Sequence, residues 1–80
     1  MSPEPRRFVI YGFASVHDAM AAEDALKAGE VAVTAIPSQR ALGELCGIAL
    51  RVAPQDAETA EAALMRAELP PRATAEIDDV

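Results

Sequence analysis

Eighty residues make a single domain with no room for a second core, and a chain this short buries only about 60–65% of its unfolded surface. Thirteen acidic against seven basic residues give a formal charge of −6, which repels a phosphate backbone and argues against nucleic acid as a partner. One cysteine allows no intramolecular disulfide, which fits a reducing, cytoplasmic setting, and no stretch approaches the roughly 20 apolar residues that span a bilayer.

Residues 1–6, "MSPEPR", carry two prolines and no apolar pattern, and read as a flexible tail. The apolar run behind them is too short for a signal peptide. "RFVIYGF", 7–13, is aromatic and β-branched, which suits a strand. It holds every aromatic of the chain: Phe8, Tyr11 and Phe13. Ser15 then stands three residues before Asp18, a capping pattern in which the hydroxyl accepts from the first turn of a helix. Val16, Ala19, Met20, Ala22 and Leu26 lie within one broad helical stripe, and Gly29 ends it where a left-handed residue is needed. "VAVTAI", 31–36, is a second strand stopped by Pro37. Residues 38–45 read as a loop or one short helical turn, and "GIALRVA", 47–53, as a third strand. Pro54 opens a second helix at a position that needs no donor, with Asp56 and Glu58 in the first turn where the helix dipole favours anions. Ala57, Ala60, Ala63, Leu64 and Ala67 give that helix an apolar stripe, and the alanines imply a close approach to the sheet. A last short strand falls at 72–77, and 78–80 read as a second tail.

The order β-α-β-β-α-β holds two crossovers, which are right-handed in nearly all proteins. It predicts an α+β, ferredoxin-like two-layer sandwich over residues 7–77: a four-stranded antiparallel sheet with both helices on one face. The other face is left bare, so a homodimer or higher oligomer is expected.

Cys46 is the first candidate for chemistry. Free cysteine is among the most buried residue types, so a packed core thiol is one reading. Three features favour a functional one. The cysteine sits at a loop-to-strand junction, Gly47 beside it bares one side, and Arg40 in the same loop could fold back to stabilise a thiolate. Glu44, two residues away, would oppose this by raising the thiol pKa. His17, the one histidine, lies in the first turn of the first helix, either solvated or placed as a proton donor or acceptor. Arg51 interrupts an apolar strand on the same side as Gly47 and Ala49, on the bare face if Ile48, Leu50 and Val52 face the helices. It is either a surface arginine or a contact for an anion or acidic partner. One Cys and one His are too few for a structural zinc site, and no glycine-rich phosphate loop or Ser–His–Asp set is present, so no cofactor is expected.

The string from Ser15 to Val52 resembles the small selenium/sulfur carrier-like domain family. The residues that carry the resemblance are His17, Asp18, Ala19 and Glu23; Ile36, Pro37 and Arg40; and Cys46, Gly47, Ala49, Leu50 and Arg51. The match runs over about residues 8–77. It implies a stand-alone carrier or accessory protein of sulfur or selenium trafficking with no turnover of its own. Cys46 would hold the cargo atom as a persulfide or its selenium analogue, and donor and acceptor proteins would be the partners. The competing reading is a non-catalytic interaction or regulatory module that oligomerises through its open sheet face, with Cys46 structural.

Overall fold

The computed structural model describes the backbone of residues 6–37 and 47–79. Of the expected tail at 1–6, residues 1–5 lie outside the described residues, as does the loop at 38–45, while Arg6 is already part of the first strand, paired in register with Asp79. The elements are β1 (Arg6–Gly12), α1 (Val16–Ala28), β2 (Thr34–Pro37), β3 (Ile48–Val52), a 3-10 turn (Pro54–Asp56) that leads into α2 (Ala57–Arg66), and β4 (Ala73–Asp79). The sheet order is β2-β3-β1-β4 with every neighbouring pair antiparallel. This is the split β-α-β arrangement that the sequence predicts, with β3 and β1 at the centre.

β1 is apolar on both sides because it must be. Its odd residues Val9 and Tyr11, continued by Phe13, pack with Leu50 and Val52 of β3 against Ala19, Ala22 and Leu26 of α1 and Ala60, Ala63 and Leu64 of α2. Its even residue Ile10 joins Ala49 in a second cluster, flanked by Ile36, Ala73, Ala75 and Ile77, to which neither helix contributes. Ile10 and Tyr11 are both 0% exposed, on opposite faces of one strand. The four buried alanines of the helices are the reason the upper layer sits close: a small side chain lets the helix axis approach the sheet.

Several details differ from the sequence reading. In α1 the buried stripe is Ala19, Ala22 and Leu26, while Val16 is 44% and Met20 60% exposed. At 3.6 residues per turn these two sit roughly 90° and 130° around the helix from the centre of that stripe, too far round to reach the sheet. Ala67 is exposed as the C-cap of α2, past the last turn that α1 and the sheet cover. β2 begins at Thr34 rather than residue 31; Val31 is instead buried against the helical core. β4 runs two residues further than expected, to Asp79.

Gly29 is not the left-handed residue. Its φ is −85°, and the positive φ falls one residue later at Glu30 (62°). The Val31 amide donates to Leu26 O at 2.9 Å and the Glu30 amide to Lys27 O at 3.0 Å, which is the paired closure of a Schellman motif. α2 ends the same way. Glu68 has φ 58°, Leu69 N donates to Leu64 O at 2.9 Å, and Glu68 N to Met65 O at 3.1 Å. In both motifs the residue after the left-handed glutamate, Val31 or Leu69, drops back onto the core.

Tyr11 ties the layers together. Its hydroxyl donates to Glu61 Oε2 on α2 at 3.2 Å, with Ala57 O at 3.5 Å. Burial, then the nearby Glu61 carboxylate, pushes its pKa well above the ordinary tyrosine value. The neutral phenol is therefore the form that the fold favours. Its contribution is complete below about pH 10, where an unfolded tyrosine ionises, and declines as pH rises beyond that. Alkaline titration followed by circular dichroism is expected to show wild type losing stability above about pH 10, a component absent from Tyr11→Phe, which at neutral pH costs about 0.5–1.5 kcal/mol. Glycine relieves a left-handed position, so Glu30→Gly and Glu68→Gly are each expected to raise stability in urea titration by roughly 0.5–1 kcal/mol.

Candidate functional site

Strand register sets Gly47 and the chain that leads into α1 at one end of the sheet. Gly12, the last residue of β1, lies opposite Ala49 on one side and Ala73 on the other, and Pro37 at the end of β2 lies opposite Ile48. Gly47, immediately before β3, therefore emerges at the end where β1 stops and the chain turns into α1. Ser15 fixes that turn. It is extended, with φ −146° and ψ 160°, and its hydroxyl accepts from the Asp18 amide at 3.1 Å. This is the capping interaction that the Ser15–Asp18 spacing predicts. The first turn of a thirteen-residue helix, with His17 as its second residue, thus stands at the same end of the sheet as Gly47.

Cys46 and Arg40 lie outside the described residues, so the structure gives no distance between them or to His17. His17 is exposed in the first turn of α1. Gly47 is exposed, its φ lies outside the left-handed region, and a methyl group built on it meets no atom of the described residues within 4 Å. Space, not backbone strain, is what a glycine leaves there. An apolar groove lined by Ala35, Ile36, Pro37, Gly47 and Ile48 begins at this point, at the β2–β3 edge. Among the described residues no group of three or more His, Cys, Asp or Glu could hold a metal ion.

Arg51 lies apart from that end. It is four residues along β3 from Gly47, roughly 13 Å at the rise of a strand. It shares the helix-free face with Ile10 and Thr34, its neighbours in register. It is half-buried, and its guanidinium carbon stands 4.3 Å from the centroid of the Phe8 ring. Phe8 sits diagonally across β1 from it, within reach of a long side chain. Sequence reasoning placed Arg51 on this face but missed Phe8 as its partner. The parity of both positions points to one face; only the β1–β3 register joins them.

The order of elements, the all-antiparallel sheet and the single helical layer define an α+β domain of ferredoxin-like topology. The family described as "Putative Se/S carrier protein-like" matches residues 8–76, nearly the whole chain, and the chain belongs to that family. No curated protein and no solved structure matches it. The matched span includes His17, Arg40, Cys46, Gly47 and Arg51. Among the described residues no helix is long and apolar enough to cross a membrane.

The two glycine and serine positions are separable by stability. Gly47→Ala is expected to change unfolding free energy by less than about 0.5 kcal/mol, because the added methyl meets no atom of the described residues. Ser15→Ala is expected to cost about 1 kcal/mol through loss of the cap. Chemical denaturation of both variants distinguishes them.

Proposed function

We propose that the chain is a sulfur or selenium carrier of the cytoplasm, with Cys46 as the carrying residue. The observation that carries this reading is the family match over residues 8–76, which includes the one cysteine. In the loading step the Cys46 thiolate attacks the terminal sulfur of a donor protein's persulfide. The Cys46 S–S bond forms, the donor's S–S bond breaks, and the donor leaves as a thiolate. The sulfane atom moves with no net oxidation, and a selenium atom would pass in the same way. An acceptor's nucleophile then takes the terminal atom and releases Cys46 as thiolate.

Each remaining residue has a role in that cycle. Arg40 stabilises the thiolate before loading and the terminal anion afterwards, since a cation beside sulfur favours the charged form. His17 exchanges protons with the carried group. The placement of the α1 first turn and Gly47 at one end of the sheet supports this, because a helix N-terminus favours a thiolate near it. Gly47 leaves the approach to the carried atom open for a partner's nucleophile. Arg51, half-buried over Phe8, docks an acidic segment of a donor or acceptor. The chain turns over no substrate alone. We also take it to work as a homodimer or higher oligomer, because a domain of this size leaves one sheet face without a helical layer.

The test incubates the protein with a cysteine desulfurase and free cysteine and follows intact mass. A gain of one sulfur is expected for wild type and none for Cys46→Ser. Iodoacetamide labelling across pH 5 to 10 is expected to give a higher apparent thiol pKa in Arg40→Ala than in wild type. A thiol that labels only after denaturation, with no sulfur taken up, sinks the carrier reading.

A further inference from the structure

The two edges of the sheet are built differently. β2 is four residues long and ends on Pro37, so it offers another chain little to pair with. β4 has seven residues and no proline, and among the described strands it bonds only β1. Its outer side is a row of backbone donors and acceptors that no described strand pairs with. Its side chains alternate in kind. Thr74 and Glu76 are exposed, while Ala73, Ala75 and Ile77 lie half-buried against Ile10 and Ala49 on the helix-free face.

We propose that β4 pairs antiparallel with β4 of a second copy, about a two-fold axis through Ala75, joining two four-stranded sheets into one of eight strands. The proposal rests on the reading of the chain as an oligomer and names the surface it uses. The register follows from the sequence of the edge. Residues opposite each other in such a pair must point to the same face, so the axis must pass through a residue. Centred on Ala75, the pairs are Ala75 with Ala75, Thr74 with Glu76, Ala73 with Ile77 and Arg72 with Asp78, and no like charges meet. Centred on Glu76, two carboxylates would face each other, which destabilises a cross-strand pair. Centred on Thr74 or Ala73, Pro71, which has no donor, moves inside the ladder opposite Ile77 or Ala75, whereas centred on Ala75 it meets only Asp79 at the strand end. The Ala75 register thus gives the longest stretch, residues 72–78, free of both faults. It also runs the apolar rows of the two copies together into one stripe beside Ile10. Pairing at β4 leaves only the short β2 edges at the outside, so growth stops at two copies. A seven-residue seam is small by the standard of stable interfaces, so the dimer dissociates on dilution.

The test uses single cysteines in a Cys46→Ser background. Ala75→Cys is expected to form a covalent dimer under mild oxidation, because it faces itself across the axis at the Cβ separation of opposed residues, roughly 4.5–5.5 Å. Thr74→Cys faces Glu76 and is expected to remain monomeric on a non-reducing gel. Arg72→Glu, at an exposed position, is expected to shift sedimentation velocity toward monomer with an unchanged circular dichroism spectrum. A chain that sediments as monomer at high micromolar concentration overturns both this pairing and the oligomeric reading. A dimer that cross-links at Thr74, or at neither position, overturns the β4 pairing alone.

Discussion

The structure depends on burying β1 from both sides. Phe8, Val9, Ile10 and Tyr11 follow one another without a polar residue, so neither face of this strand can be left to water. The chain meets the constraint by making β1 an inner strand, with β3 on one side and β4 on the other, and by laying both helices over its odd residues. Everything else is arranged around that choice. The helices carry alanine where they meet the sheet so that Tyr11 and Phe13 can fill the space between. The β4 strand places its own apolar residues on the opposite face, where Ile10 needs neighbours, and leaves Thr74 and Glu76 exposed at the sheet edge on the face that carries the helices.

The same constraint sets what the ends of the sheet are free to do. Core residues run along the strands as far as Phe13, just past the end of β1, while Ala14, Ser15 and His17 beyond it stay outside the buried core. Segments that join rigid elements are where functional groups concentrate in many small folds. The Ser15 cap fixes where α1 begins at that end of the molecule.

Most of the architecture was legible because its joints carry residues with local physical preferences. Ser15, Pro37 and Pro54 each mark a start or a stop that the backbone respects, and the alternation in β3 assigned Leu50 and Val52 to the helical side correctly. What was not legible depended on tertiary contact. Glycine is the usual left-handed terminus, so Gly29 was the natural choice, yet the fold places glutamate there twice because Val31 and Leu69 must drop onto the core one residue later. Val16 and Met20 look like core residues in a helical stripe. The width of the surface that α1 presents to the sheet, set by the strands beneath it, leaves them outside. The stacking of Arg51 on Phe8 required a register that no local signal supplies. Of the candidate site, His17, Gly47 and Arg51 could be placed, and the first two share an end of the sheet while Arg51 does not.

The register of β1 with β4 has a mechanical consequence. Arg6 lies opposite Asp79, so the two outermost strand ends are neighbours across one ladder, and the pairs run from there toward Gly12 and Ala73. In an antiparallel pair the hydrogen bonds lie perpendicular to the strands. Force applied at those two ends therefore loads the bonds one at a time, in the manner of a zipper, rather than shearing the whole ladder at once. The domain should yield to stretching at low force, peeling β4 from β1 before either helix is disturbed. A partner or unfoldase that grips these ends meets the least resistance that the fold offers, while the half made of β1, β3 and the helices stays together longest.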